Sequence, residues 1–490
     1  MRGGEIWAGT DDGLIQVTQD EGKTWENVTP PELTPWSKVT HIEASHFDAG
    51  TAYAVVDRHR LEDLQAYLYR TRDFGKTWLR ASRGIPEGSF LNCVREDPAR
   101  KGLLYACTEK GVFVSFNDGE DWQPLQLNLP TTSVRDLAVH ADDLVIATHG
   151  RSFWVLDDIT PLRQMDAQVG AAEAWLFRPA TAYRVRPGSD QGTPVPFDEP
   201  RAENPPDSAM LDYYLKETPA AAVQLEILDA AGKTVRRFAS NDVLPKTNPN
   251  ELDIPMYWIH DTEPLPAEAG MHRFVWDLRY SFVDSGRRSR RAPAGPWALP
   301  GKYTVKLTVD GKSMSQPLEV KMDPRVKTPA AELERQFRAS SKLAAAIGEF
   351  SAAIQRSDEL RKQIATRSKE AGENAELKRT LEQLDKKIVA ITAAREGGGF
   401  GLFGLSAPGS DAVTLRQVSA ALSGLLSIVE GADVAPSVDA AAAIEKWDAA
   451  SKETLARWNA LATTDLAHLN SLLQVAHLEV LTLEAPSTTR

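Results

Sequence analysis

One eight-residue pattern recurs three times in the first quarter of the chain and constrains the fold more than any other feature. The copies are Thr18-Gln19-Asp20-Glu21-Gly22-Lys23-Thr24-Trp25, Thr71-Arg72-Asp73-Phe74-Gly75-Lys76-Thr77-Trp78 and Ser115-Phe116-Asn117-Asp118-Gly119-Glu120-Asp121-Trp122. The shared pattern is Ser/Thr-x-Asp/Asn-x-Gly-x-Thr/Asp-Trp. Its tryptophans stand 53 and 44 residues apart, close to the roughly 40–50 residues of a four-stranded propeller blade. Asp-x-Gly is hairpin-turn chemistry, because the carboxylate accepts backbone N–H bonds and glycine supplies positive φ. Asn117 serves as well through its amide oxygen, so a catalytic acid at this position is excluded in the third copy. Asp20, Gly22, Trp25, Asp73, Gly75, Trp78, Asn117, Gly119 and Trp122 are therefore expected to be structural, with each indole packed over its own turn.

The flanks repeat as well. Ile6-Trp7-Ala8-Gly9-Thr10 with Gly13-Leu14 precedes the first motif, and Leu104-Tyr105-Ala106-Cys107-Thr108 with Gly111-Val112 precedes the third. Leu144–Thr148 and Gly150 open a fourth copy, which diverges into Ser152-Phe153-Trp154-Val155-Leu156-Asp157-Asp158 without a glycine–tryptophan motif.

The repeated motif resembles the Asp-box of sialidases, xyloglucanases and the sortilin ectodomain, where it is structural and lies on the outer rim of a β-propeller. Propellers close with about four to eight blades, whereas about three and a half are legible here. The resemblance therefore implies a C-terminal portion of a longer protein, or blades supplied by a partner chain for closure.

After Asp158, residues 161–207 are rich in Pro, Ala, Arg and Gly and read as a connector with one strand at Trp175-Leu176-Phe177. Strand signals return at residues 210–215, 223–228, 234–238, 272–277, 301–309 and 315–320, with an Asp310-Gly311 hairpin. Short strands with regular turns suggest an antiparallel sandwich. Thr328-Pro329 reads as a helix start with a hydroxyl cap. Beyond it, Leu377, Leu381, Leu384, Ile388 and Ile391 step by helical spacing, as do Leu415, Val418, Leu422, Leu425 and Val429. Ile444, Trp447, Leu455, Trp458 and Leu461 form a third stripe.

The expected fold is multidomain, mainly β and then α. It comprises a partial Asp-box β-propeller (1–160), the connector (161–207), an immunoglobulin-like β-sandwich (208–326) and a C-terminal antiparallel helical bundle (327–490). In this order, with Thr148-His149-Gly150-Arg151 and Met322-Asp323-Pro324-Arg325, the chain resembles the C-terminal half of large secreted bacterial proteins of the sortilin-like, BNR-repeat glycosyl hydrolase type. That resemblance implies an extracytoplasmic location, periplasmic or secreted. The chain itself shows no signal peptide at Met1-Arg2-Gly3-Gly4.

Composition narrows the function. With 56 basic and 68 acidic residues the formal charge is −12, which disfavours nucleic acid as a partner. No run approaches the ~20 apolar residues of a transmembrane helix. Two cysteines exclude a disulfide scaffold and a Cys-rich zinc site, and no metal or cofactor is expected. Cys93 and Cys107 flank a turn near Arg100, and a disulfide and two buried thiols both remain open.

Glycoside hydrolysis needs two carboxyls about 5–9.5 Å apart. Outside the repeated motif the candidates are Asp11, Asp12, Asp57 and Asp63, with Arg58 and His59 nearby. Asp11-Asp12-Gly13 also reads as a hairpin turn, and residues 57–65 as a charged blade insertion. His149 and Arg151 could hold an anionic ligand, or could belong to a turn in which Arg151 pairs with Asp157 or Asp158. The basic run Arg287, Arg288, Arg290 and Arg291 suggests an acidic partner or a solvated loop. Phe400, Leu402, Phe403 and Leu405 among glycines suggest a membrane-touching tip or a cap on the helices. The first expectation is an exported binding module for a protein, peptide or glycan. The rival is part of a glycoside hydrolase acting on polysaccharide or sialoside, with catalytic residues partly on missing blades.

Overall fold

The computed structural model describes residues 4–186, 204–206, 208–244, 246–252, 254–256, 261–282, 295–393 and 412–483. The arginine run at 287–291 and the Phe400–Leu405 stretch lie outside these residues. The chain divides into two compact units, Met1–Ala180 with Asp212–Lys216, and Thr181–Leu211 with Glu217–Arg490.

The first unit is built from four consecutive antiparallel sheets. The first holds β1 (Ile6–Gly9), β2 (Ile15–Thr18) and β3 (Glu26–Asn27). The second holds β4 (Lys38–Ala44), β5 (Ala52–Asp57), β6 (Tyr67–Thr71) and β7 (Leu79–Arg80). The third holds β8 (Leu91–Glu96), β9 (Leu104–Thr108), β10 (Gly111–Ser115) and β11 (Gln123–Pro124). The fourth holds β12 (Val134–His140), β13 (Asp143–Thr148) and β14 (Phe153–Leu156). Within each sheet the strands lie in sequence order, and apolar residues of successive sheets pack together in a β-propeller-like arrangement. Ile15, Val17 and Val28 meet Ala54, Val56 and Tyr69 of the second sheet. Tyr53, Val55 and Leu68 then meet Val94, Leu104 and Ala106 of the third. Cys93, Tyr105 and Val112 in turn meet Leu137, Leu144 and Ile146 of the fourth.

The repeated motif forms the turn between the last two strands of each of the first three sheets, and its bonds recur almost atom for atom. Asp20 Oδ1 accepts from Thr24 N at 2.9 Å and Asp73 Oδ1 from Thr77 N at 2.9 Å. Asn117 Oδ1 accepts from Asp121 N, also at 2.9 Å. The Thr18, Thr71 and Ser115 hydroxyls accept from the glycine N–H at 2.9–3.0 Å. Gly22, Gly75 and Gly119 have φ of 85°, 81° and 82°, a region in which a Cβ is strained. The preceding Glu21, Phe74 and Asp118 are left-handed too.

The indoles depart from expectation. Trp78 Nε1 donates to Val28 O at 2.6 Å and Trp122 Nε1 to Ala81 O at 2.8 Å, so both reach the residue that follows the last strand of the preceding sheet. Trp25 lies against its own turn, with Nε1 3.8 Å from where a Cβ on Gly22 would stand.

The stretch expected as a connector continues the first unit with α1 (Thr160–Gln164), α2 (Ala167–Ala171) and β15 (Ala174–Leu176). Asp166 caps α2 by accepting from Gln168 N and Val169 N. In the second unit β16 (Ala182–Arg184) comes first. β17 (Ala209–Leu215) pairs with β15 through Tyr213–Leu215. Then follow β18 (Gln224–Leu228), β19 (Thr234–Ala239), β20 (Gly270–Trp276), β21 (Gly301–Val309) and β22 (Lys312–Met322). A five-stranded sheet runs β16-β22-β21-β18-β19, with β16 parallel to β22 and the other pairs antiparallel.

The helices are α3 (Ala330–Glu370), α4 (Ala375–Thr392), α5 (Leu415–Val429), α6 (Val438–Ala460) and α7 (Leu466–Val475). They share one core that buries Leu377, Leu381, Leu384, Ile388, Leu422, Leu425, Trp447 and Trp458. The Thr328 hydroxyl does not cap α3. It donates to Asp433 O at 2.5 Å, and Pro329 takes the cap position. Thr414 and Gln417 form a reciprocal capping box at α5. Among the described residues, no helix is long and apolar enough to cross a membrane.

Candidate functional site

The two acids singled out from the sequence lie near the β5–β6 connection but share no partner. Asp57 is buried and accepts from His59 N at 2.9 Å, and His59 Nδ1 lies 2.6 Å from its Oδ2. The His59 ring stacks on Phe90 at 5.0 Å. Asp63 accepts from Tyr67 Oη at 2.7 Å and Gln65 N at 3.1 Å, and Arg58 Nε stands 3.4 Å away. Partial burial pushes the Asp63 carboxyl up, but these donors and the Arg58 charge outweigh it and hold it below the ordinary value. A carboxyl held low is a poor proton donor near neutrality. Asp11 pairs with Lys38 at 3.3 Å, and Asp12 accepts from the Thr10 hydroxyl, so both belong to the β1–β2 turn.

His149 and Arg151 sit on the exposed β13–β14 hairpin, where Gly150 takes φ +84°. His149 N donates to Ser133 O at 2.8 Å, and Arg135 Nη2 stands 3.5 Å from His149 Nδ1. Arg135 also faces Glu109 at 3.6 Å. The Arg151 backbone closes the turn, its N–H donating to Thr148 Oγ1 and its carbonyl accepting from Trp154 Nε1. Asp158 accepts from Thr160 N and Oγ1. His149 and Arg151 are both exposed on this hairpin.

A denser polar cluster escaped the sequence reading. It joins the first strands of three sheets, β4, β8 and β12. Arg95 donates through Nη1 to Glu43 at 3.2 Å, through Nη2 to Asp136 at 3.0 Å and through Nε to Leu137 O at 3.0 Å. His41 Nε2 also contacts Arg95 Nη1. Burial, then the Arg95 charge, lower His41 to about 4, so the ring is neutral at physiological pH. Burial is the largest influence on Glu43 and raises it, opposed by the Glu96 N–H and Arg95. Glu96 accepts from Ser45 Oγ at 2.7 Å and His46 N at 2.8 Å. The available signal was the placing of ionisable residues inside two strand-like runs, His41 and Glu43 in one and Arg95 and Glu96 in the other. What the sequence did not show is that these strands are neighbours.

An apolar depression lies between the third and fourth sheets. It is lined by Val112, Leu125, Leu127, Leu129, Trp154 and Val155, among others. Leu127 and Val155 are 70% and 51% exposed, and Phe153 beside them is 75% exposed. β14 pairs with β13 on one side, and among the described residues no strand pairs with its other edge. Cys93 and Cys107 are register partners across β8 and β9, and both are buried free thiols. Among the described residues no group of three or more His, Cys, Asp or Glu is placed to hold a metal ion.

No protein-family model matches the chain, and no curated protein matches it. Solved structures match in part. YCF48 bound to D1 peptide is 16% identical at a TM-score of 0.26, over 31% of this chain and 46% of that one. A GH74 enzyme from Niastella koreensis is 16% identical at 0.24, over 31% of this chain and 21% of that one. The GH74 xyloglucanase from Xanthomonas campestris is 15% identical at 0.25, over 66% and 69%. The chain thus spans less than half of the first two proteins. At such TM-scores the likeness assigns this chain no activity.

Proposed function

We propose that the chain is a non-catalytic interaction module of an extracytoplasmic protein. On this reading it combines a partial Asp-box propeller, an immunoglobulin-like sandwich and an antiparallel helical bundle. The observation that supports it best is the fourth sheet, whose outer strand carries exposed Phe153 and Val155 along an edge that pairs with no strand among the described residues. An open edge beside exposed apolar side chains is a place where another chain can add. Asp57 and Asp63 are engaged by His59, Tyr67 and Arg58, which suits structural roles. The ligand class is a protein, peptide or glycan.

The test presents the purified chain to peptide and glycan arrays, alongside a Phe153→Asp variant. Saturable binding that the variant loses supports the reading. Binding to neither array, or binding that the variant retains in full, overturns it.

One observation favours the hydrolase alternative. Glu43, raised by burial, and the exposed Asp136 both contact Arg95, and unequal carboxyls across a substrate are what glycosidases use. Aryl-glycosides, sialosides and β-glucans at mildly acidic and neutral pH discriminate the two readings. No turnover is expected. Turnover abolished by Glu43→Gln or Asp136→Asn in a folded protein would establish the hydrolase.

A further inference from the structure

In the first three sheets of the first unit the last strand is a short one entered from the motif turn, and among the described residues the fourth sheet has no such strand. β3 pairs with Gln16 and Val17, β7 with Tyr69 and Arg70, and β11 with Phe113 and Val114. In β14 the matching residues are Trp154 and Val155. Trp154 packs back toward the third sheet, as Tyr69 and Phe113 pack back toward the first and second, and Val155 joins Trp154 in lining the depression between the third and fourth sheets. Among the described residues, the edge that receives a short last strand in the other sheets is thus unfilled here.

A second observation points to the same place. Each of these short last strands is followed by a residue whose N–H returns to the strand before it: Val28 to Ile15 O, Ala81 to Leu68 O and Leu125 to Val112 O, at 2.8–2.9 Å. Val28 and Ala81 then accept the indole of the next sheet's turn. Leu125 is the third such residue, and among the described residues no indole is bonded to it. The one tryptophan of the fourth sheet, Trp154, donates to Arg151 O instead. Beside Leu125 lies the apolar depression, where the series would place an indole.

We propose that the β14 edge and the Leu125 depression form one docking site for an extended peptide bearing an aromatic side chain. The peptide pairs as the missing fourth strand opposite Trp154 and Val155. Its indole enters between the third and fourth sheets and donates to Leu125 O. Main-chain bonds along an edge supply affinity in such strand addition, and a side-chain pocket supplies selectivity. The occupant is specified by the established interfaces between sheets in this same chain, which the bound peptide continues by one unit. This rests on the interaction-module reading and names its partner class.

The probe is a fluorescent synthetic peptide with the sequence of residues 71–81, which carries both a turn indole and a fourth strand. It is titrated into the whole chain to about 1 mM, which reaches even weak strand addition. Saturable binding is expected. Replacing the peptide's tryptophan by alanine should weaken it at least tenfold. Leu127→Asp and Val155→Asp should each do the same. Both positions are exposed, so the fold should survive, as circular dichroism verifies. Amide exchange should slow along β14 when peptide is present. No saturation, binding indifferent to the tryptophan, or unchanged affinity in both variants overturns the site. If the arrays yield a ligand while the peptide fails, the site is wrong and the interaction module stands. If both fail, both are wrong.

Discussion

The first and third sheets carry turns with the same hydrogen bonds and treat their tryptophans in opposite ways. Trp25 is 43% exposed and Trp122 only 5%. The difference is not in the turn, since Asp20 and Asn117 accept the same backbone N–H at the same distance. It lies in what stands beside the turn. Trp122 has Ala81 of the preceding sheet as acceptor and packs in the core between the second and third sheets. Among the described residues Trp25 has no preceding sheet. The motif is therefore two devices in one: a self-contained turn, and an indole key whose worth depends on a neighbour. Trp78, half-buried and bonded to Val28 O, is intermediate.

Alanine substitution should reproduce that ranking. Trp122→Ala is expected to cost about 3–5 kcal/mol, the usual range for a buried Trp truncation, read as a shift of the β transition in chemical unfolding. Trp78→Ala should cost roughly 2 kcal/mol, because only part of the ring leaves water. A cost for Trp25→Ala matching that of Trp122→Ala would break the comparison.

The glycines sharpen it. A Cβ on Gly75 would meet Val28 side-chain atoms at 2.6 Å, while one on Gly22 would meet nothing closer than 3.8 Å. Both have positive φ, so either alanine carries about 1–2 kcal/mol of left-handed strain. Gly75→Ala should exceed Gly22→Ala by about 1 kcal/mol more, since overpacking adds to the strain. Equal midpoints for the two variants would show that the second turn does not press on the first sheet. Trp25→Ala itself should change stability by less than about 0.5 kcal/mol, as exposed sites usually do.

The smallest effect is local and set by acid. The Thr24 N–H and hydroxyl hold Asp20 below the ordinary carboxylate value, and the Thr77 hydroxyl and N–H do the same for Asp73. A carboxyl with a depressed folded value stabilises its turn above the unfolded value, and that contribution is lost as pH falls through the folded one. Hydrogen-exchange protection at Thr24 N and Thr77 N should therefore fade below about pH 3.8. The Asp121 N–H should keep its bond to Asn117, whose amide does not titrate. Equal loss at all three positions would mean the sheets, not the turns, respond to acid.

What the sequence revealed follows the range of the interactions. The turn bonds span two to four residues, so Thr18, Asp20, Gly22 and Thr24 declare them locally. The antiparallel sheets followed by helices were legible for the same reason, through alternation and 3–4 stepping. The indole acceptors lie 41 and 50 residues upstream, and no local pattern names them. The same holds for Arg95, whose partners His41, Glu43 and Asp136 are 41 to 54 residues distant. Asp57 and Asp63 stood out because acids near an arginine and a histidine look like chemistry. Their actual partners, His59 and Tyr67, are two and four residues away.

The facing thiols of the third sheet have a use that follows from where they sit. Cys93 and Cys107 are 2% and 0% exposed, and burial pushes the Cys107 thiol well above its ordinary range. A thiol that is neither ionised nor reachable does not react with alkylating or disulfide reagents. The pair is therefore silent while β8 and β9 stay sandwiched, and becomes reactive only in molecules whose third sheet has opened. The rate of thiol modification is in effect a clock for that opening, built into the chain without any added label.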